Sequence, residues 1–305
     1  MTRLSPRYRP DIGQLVALAL LLLTAAALFW PRESEKRGDG TLLVLDPTGE
    51  LRRQEALGSL AVYLARESRL DLRLEVVSDH QALKAALPTA QVIFCPDGTA
   101  LDLPMSAWQA LATGRRRVPW NLRPTSVLLS RQGVDGGEEP WVSMPGRTAF
   151  GDSLSLVCLA PLCLAGGNWN LPAGVMWGQD PYDHQSVLAA AAMGAIDHLV
   201  VRQWDAEAAL KTGLLSRDQW LVRQLSTPLP DVMVLASRNL PRAVRLDLQE
   251  GLTGLGRHES DQTSERLLAQ ERLREFGLEG FNLLVGPDFE RFRRRYGPCW
   301  PRPTE

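Results

Sequence analysis

The chain has 305 residues, a formal net charge of −1, 45% apolar and 23% charged residues. That balance is ordinary for a globular domain and makes no electrostatic case for a nucleic-acid partner. Four cysteines (Cys95, Cys158, Cys163, Cys299) show no CxxC or Cys/His spacing, so the sequence predicts neither metal nor cofactor.

The N-terminus carries Arg3, Arg7 and Arg9, followed by LVALALLLLTAAALFW over 15–30 without a charge. Positive charge before an apolar run holds the N-terminus in the cytoplasm and sends the rest of the chain across the membrane. Sixteen residues make about 24 Å of helix, short of the ~30 Å hydrocarbon core. Ile12 and Gly13 can extend the span, and Ala25, Ala26 and Ala27 offer a cleavage site instead. The expectation is a retained anchor: a basic tail over 1–14, a membrane span over 15–30, a polar linker over 31–40, and a main domain outside the cytoplasmic membrane.

After the linker, strand and helix alternate. TLLVLD (41–46) reads as a strand stopped by Asp46 and Pro47. Apolar residues at helical spacing mark a helix over 51–68. LDLRLEVV (70–77) is a strand, Asp79 caps the helix of HQALKAALP, and QVIFC (91–95) is a third strand. This β-α-β-α-β order predicts a parallel sheet with helices on its faces. The run Arg115, Arg116, Arg117 reads as a solvated face.

A second block begins at SVLLSR (126–131). RTAFGD (147–152) is a short strand before a helix over 155–165, and VMWG (175–178) is strand-like. A helix over 184–195 and the strand HLVVR (198–202) come next. After a further helix come VRQLS (222–226) and the strand within TPLPDVMVLAS. The tail is helical apart from the polar stretch GRHESDQT.

These segments, in this order over about 41–255, resemble the phosphate/phosphonate-type substrate-binding proteins of ABC importers. The resemblance rests on LLVLDPTGELRRQEALGSLAVYLARES, AQVIFCPDG, FGDSLSLVCLAP, DHQSVLAAAAMGAID and LSTPLPDVMVLAS. It implies an α/β, two-lobed type II periplasmic-binding-protein fold behind the N-terminal transmembrane helix. Lobe 1 would comprise 41–130 and 232–300, and lobe 2 would comprise 131–231. SVLLSR and DVMVLAS would be the crossings, with a ligand held between the lobes.

The family's anion cradle, Asp-Pro-x-Ser-Thr-Ser-Gly, keeps only Asp152 and Ser155 here; Leu156, Val157 and Cys158 replace its later members. A helix start with hydroxyls binds oxyanions through free N–H groups and the dipole. Asp152, Ser153 and Ser155 therefore read either as ligand contacts or as an N-cap and first turn. His184 falls on the family's ligand-contacting histidine, with a helix cap as its plain alternative. Asp197 matches an aspartate after Gly-x-Val, with a turn residue as the alternative. Arg123, near Trp120, could pair with an anion in the cleft or lie on the surface.

The block GDSLSL resembles the Gly-Asp-Ser-Leu motif of some esterases. It lies mid-chain, however, with no Asp-x-x-His behind it, and the chain is not expected to be an enzyme. The expected function is capture of a small anionic, phosphate- or phosphonate-like solute for an ABC importer permease. The alternative is a membrane-anchored sensor or interaction protein on the same fold with no small-molecule ligand.

Overall fold

A computed structural model describes residues 38–116, 124–134, 146–164, 175–226, 229–257, 263–284 and 286–297. The first block follows its apolar pattern: β1 (Asp39–Leu45), α1 (Leu51–Ser68), β2 (Asp71–Val77), α2 (His80–Ala86) and β3 (Val92–Cys95). Leu42 to Leu45 are fully buried on both faces of β1, as a central parallel strand requires. Asp79 caps α2 by accepting the Ala82 N–H at 2.8 Å.

Two elements then depart from the expectation. Residues 97–102 form the short helix α3 (Asp97–Asp102), and residues 108–116 form the strand β4 (Trp108–Arg116). β4 is built from Ala, Thr and Gly between Leu111 and its arginines, so it shows no alternation of large apolar and polar residues. The solvated-face reading of Arg115 to Arg117 fails at Arg116, whose side chain is only 8% exposed against Asp231. Arg117 lies outside the described residues.

The second block supplies β5 (Ser126–Arg131), β6 (Thr148–Phe150), α4 (Leu156–Leu164) and β7 (Met176–Trp177). It continues through α5 (Gln185–Ala192), β8 (His198–Arg202), α6 (Gln203–Thr212) and β9 (Trp220–Gln224). The chain then returns through β10 (Met233–Ser237), α7 (Arg242–Gly254), α8 (Ser264–Arg272), β11 (Leu278–Leu283) and α9 (Gly286–Tyr296).

The strands make two sheets, ordered β11-β4-β10-β3-β1-β2 and β7-β6-β8-β5-β9. Each sheet repeats one plan. β1 pairs in parallel with β2 and β3, and β6 pairs in parallel with β7 and β8. An antiparallel strand is inserted next: β10 beside β3 in one sheet, β5 beside β8 in the other. In both cases it is the strand by which the chain has just left the other sheet.

This plan positions the site. Asp46 follows the carboxyl end of β1, Asp97 that of β3 and Asp152 that of β6, while Arg202 ends β8. Carboxyl ends of parallel strands are where α/β proteins gather polar groups. One apolar core joins the sheets around these ends, with Leu43, Ile93 and Leu235 from the first and Leu128, Phe150 and Val200 from the second.

The segment after β7 wedges into the first sheet. The Tyr182 hydroxyl donates to Leu45 O at 2.5 Å, and its ring meets Phe276 edge-on at 5.1 Å. Arg53 of α1 stacks over Tyr182 and donates to both Asp180 oxygens, at 2.8 and 2.6 Å. Among the described residues no helix is long and apolar enough to cross a membrane; the run over 15–30 lies outside them.

Tyr182 therefore tests how firmly the sheets are joined. Tyr182→Phe should lower unfolding stability by about 1 kcal/mol, the net worth of one hydrogen bond. Tyr182→Ala should cost about 3–5 kcal/mol, as for other buried aromatics. Urea unfolding of the two variants measures both.

Candidate functional site

Asp152 is the centre of the polar cluster. Its Oδ1 accepts the N–H groups of Leu154 and Ser155, both at 2.6 Å. Its Oδ2 accepts the Ser155 hydroxyl and faces His184 Nε2 at 3.0 Å. Burial alone would raise the pKa of this carboxyl. The hydrogen bond and charge of His184, then Arg202 and Ser155, hold it down at about 2.

His184 stands at the start of α5 and is fully buried. The backbone comes so close that a Cβ on Gly151 would sit 2.5 Å from the imidazole. Nε2 faces Asp152, and Nδ1 lies 3.2 Å from Asp205 Oδ2 in the first turn of α6. The Arg202 N–H also approaches Nδ1, at 3.4 Å, a contact that needs an unprotonated nitrogen. The shorter ion pair prevails, because two carboxylates flank the ring. Burial and Arg202 oppose the charged form, but Cys158, Asp152 and Asp205 carry the His184 pKa well above its ordinary value.

Charged partners continue the line. Arg202 is fully buried and places Nη1 3.6 Å from Asp205 and Nε 3.9 Å from Asp231; Nη2 donates to Pro181 O. Asp231, just before β10, takes the Arg116 Nε–H at 2.5 Å. Arg116 also donates to the carbonyls of Tyr182 and Phe276, at 3.2 and 3.1 Å. Burial opposes ionisation of Asp205 and Asp231, yet His184 for the first and Arg116 and Arg202 for the second keep both below their ordinary values. Asp152, His184, Asp205, Arg202, Asp231 and Arg116 thus alternate in sign from one sheet to the other. The hollow beside Arg116 and Asp231 has a volume of about 20 Å³, room for about one water.

Asp97 completes the cluster from the first sheet. Its Oδ1 accepts the N–H of Gly98 and, across the sheets, that of Leu156 at the start of α4, both at 2.9 Å. Its Oδ2 is buried without a hydrogen-bond partner. Burial, with Asp231 and Asp152 nearby, pushes this carboxyl well above the usual carboxylate range. Cys158, one turn into α4, accepts the Asp152 N–H at 3.4 Å. Its sulfur lies 3.6 Å from Asp152 Oδ2 and 4.0 Å from His184 Nε2. Cys95, Cys158 and Cys163 form no disulfide.

Of the predicted site residues, Asp152, Ser155 and His184 come together, bonded to the protein itself. Ser153 is exposed and makes no part of the cluster. Asp197 stands apart from this cluster: it precedes β8, whereas the cluster gathers beyond its far end, about 16 Å of strand away. Its carboxylate takes the backbone N–H and Nε of Arg147, at 2.9 and 3.1 Å. Arg123 and Trp120 lie outside the described residues. Asp97, Cys158, Arg202, Asp205, Asp231 and Arg116 belong to the cluster without having been expected there. The available signal was a charged residue closing or adjoining a short apolar strand, as in VIFCPD, HLVVR and PLPDVMV.

No protein-family model matches the chain, and no curated protein matches it. Solved structures share its mixed α/β, two-sheet fold. XAC2383 from Xanthomonas citri, bound to chloride ion, aligns with a TM-score of 0.62 at 16% identity, covering 86% of this chain and 98% of that one. PhnD1 from Prochlorococcus marinus, in complex with methylphosphonate, gives 0.58 at 13%, covering 85% and 97%. The binding-protein component of an ABC phosphonate transporter from Pseudomonas aeruginosa gives 0.55 at 11%, covering 88% and 90%. At these identities the likeness shows a shared mixed α/β, two-sheet fold and nothing finer.

The raised pKa of Asp97 has a measurable sign. The folded state holds its proton more tightly than the unfolded chain, whose value is about 3.9, so this group's contribution to stability falls as pH rises above that value. Asp97→Asn removes the charge and keeps the acceptor. The variant should match the parent near pH 4 and exceed it at pH 8 in urea unfolding.

Proposed function

We propose that the chain is a membrane-anchored, extracytoplasmic protein of the type II periplasmic-binding fold that serves as a sensor or interaction module and does not capture a small oxyanion. In this reading lobe 1 comprises 41–130 and 232–300, lobe 2 comprises 131–231, and the lobes stay closed on each other. One observation carries it. The N–H groups of Ser155 and Leu156 that an oxyanion would take are held by two carboxyls of the chain, Asp152 and Asp97, one from each sheet. The Ser155 hydroxyl and His184 are likewise committed to Asp152.

The second reading is the importer component, a solute-binding protein that hands a phosphate- or phosphonate-like anion to an ABC permease. The fold it shares with phosphonate-binding neighbours favours that reading. An incoming anion would have to displace Asp97 from the start of α4.

Thermal unfolding of the full chain in detergent separates the two. Phosphate, methylphosphonate, phosphite and sulfate should leave the midpoint unchanged. A site occupied at 100-fold above its dissociation constant gains about 2.7 kcal/mol, a shift of several degrees. Such a shift with any of these anions would decide for the importer reading. The location is tested separately: an alkaline-phosphatase fusion to the C-terminus should be active, and an inactive one refutes the extracytoplasmic assignment.

A further inference from the structure

We propose that Asp152, Cys158 and His184 form a binding site for a divalent transition-metal ion of the zinc class, seated between the start of α4 and the start of α5. This deepens the functional reading above and rests on it, because the same seat that turns away an oxyanion would take a cation.

The three ligand atoms already stand close to the edges of a metal polyhedron. His184 Nε2 and Asp152 Oδ2 are 3.0 Å apart, Cys158 Sγ and Asp152 Oδ2 3.6 Å, and Cys158 Sγ and His184 Nε2 4.0 Å. A tetrahedral zinc with oxygen and nitrogen at about 2.0 Å and sulfur at about 2.3 Å has edges of about 3.3, 3.5 and 3.6 Å. Shifts of a few tenths of an ångström close the difference. All three residues are buried, and no exposed acidic patch is involved.

The surroundings supply what such a centre needs. Metal-bound histidines donate their other ring N–H to a carboxylate, which fixes the tautomer. Asp205 stands 3.2 Å from His184 Nδ1 in that role, leaving Nε2 for the ion. The Asp152 N–H points at Cys158 Sγ, while burial and the Asp152 charge push the thiol up, so the ion itself must displace its proton. The Ser155 hydroxyl lies against Asp152 and offers a fourth oxygen. A thiolate, an imidazole and one carboxylate suit zinc, cobalt or nickel and do not suit magnesium or calcium. Charge also balances: a dication entering displaces one proton from the Cys158 thiol and one from the His184 imidazolium. The sequence could not show this site, because its ligands sit at positions 152, 158 and 184 without a recognised spacing.

Cobalt(II) titration of the chelator-treated full chain in detergent provides the test. One equivalent should give a thiolate-to-cobalt charge-transfer band and the visible bands of a tetrahedral centre, both removed by zinc. Cys158→Ser should abolish the charge-transfer band. Asp205→Asn should keep the band and weaken affinity 10- to 100-fold, the usual effect of losing a ligand's orienting partner. Near-ultraviolet circular dichroism checks that both variants retain the fold; Cys158→Ala replaces Cys158→Ser, and Asp205→Ala replaces Asp205→Asn, should either fail. Absence of a cobalt band together with no zinc-dependent change in melting midpoint overturns the proposal. An unchanged band in Cys158→Ser overturns it equally, assigning the ion to another thiol. Stabilisation of the metal-free chain by phosphate or methylphosphonate would instead overturn the functional reading. No response to either class of ligand would sink the metal site alone.

Discussion

A buried chain of alternating charge between the sheets is the constraint on which the rest of this structure depends. Asp152, His184, Asp205, Arg202, Asp231 and Arg116 succeed one another with opposite signs at each step. Removing charges from water costs several kcal/mol per ion, repaid only where each finds partners of opposite sign and hydrogen bonds. Asp231 and Arg116 belong to the first sheet, and Asp152, His184, Arg202 and Asp205 to the second, so the chain crosses between the sheets at the Arg202–Asp231 pair, 3.9 Å apart. Separating the sheets would take from Arg202 one of its two carboxylates and from Asp231 one of its two arginines. The apolar core around Leu43, Ile93, Phe150 and Val200 presses in the same direction.

The topology explains why the charges converge. Both sheets order their strands alike, so both send the carboxyl ends of their parallel strands to the shared boundary. In a binding protein with an open seat, that boundary meets solvent and ligand. Here Asp97 reaches from the end of β3 to the first N–H of α4 and fills the position from within. Tyr182 performs the matching service from the other side, its hydroxyl on Leu45 O and its ring among Phe94 and Phe276.

Much of this fold was legible because its strands are short apolar runs and its helices carry apolar residues at helical spacing. β5 and β8 carry the ends read for them, as does α1. β4 was not legible, since Ala110, Ala112, Thr113 and Gly114 are buried without any contrast to read. β11 hid for a related reason: LEGFNL mixes Glu279, Gly280 and Asn282 with apolar residues, and its register shifts where it meets Arg115 and Arg116. The site divided along the same line. Asp152, Ser155 and His184 sit at helix starts, which sequence marks. Their partners Asp205, Arg202 and Asp231 are distant from them in sequence, and pairing at such separations leaves no local pattern. Asp197 was not separable from the cluster by sequence, because an aspartate before a strand looks the same at either end of a sheet. Only the strand direction places it beside Arg147.

In the cluster between the sheets four carboxyls, Asp97, Asp152, Asp205 and Asp231, stand with three cations, His184, Arg202 and Arg116, and a further buried pair, Asp46 and Arg53, adds no net charge. The strongest pairs take Asp152, Asp205 and Asp231, whose pKa values fall. Asp97 is left over, and burial with Asp231 and Asp152 nearby pushes its carboxyl well above the usual carboxylate range. An interior balanced in this way has no surplus positive charge to offer an anion. A second anion entering would have to be neutralised by further protonation or by breaking an existing pair, each at a cost of several kcal/mol. A dication entering in exchange for two protons disturbs nothing in the count. On the reading proposed here, the interior selects by sign and against the solutes that the strand order alone would suggest.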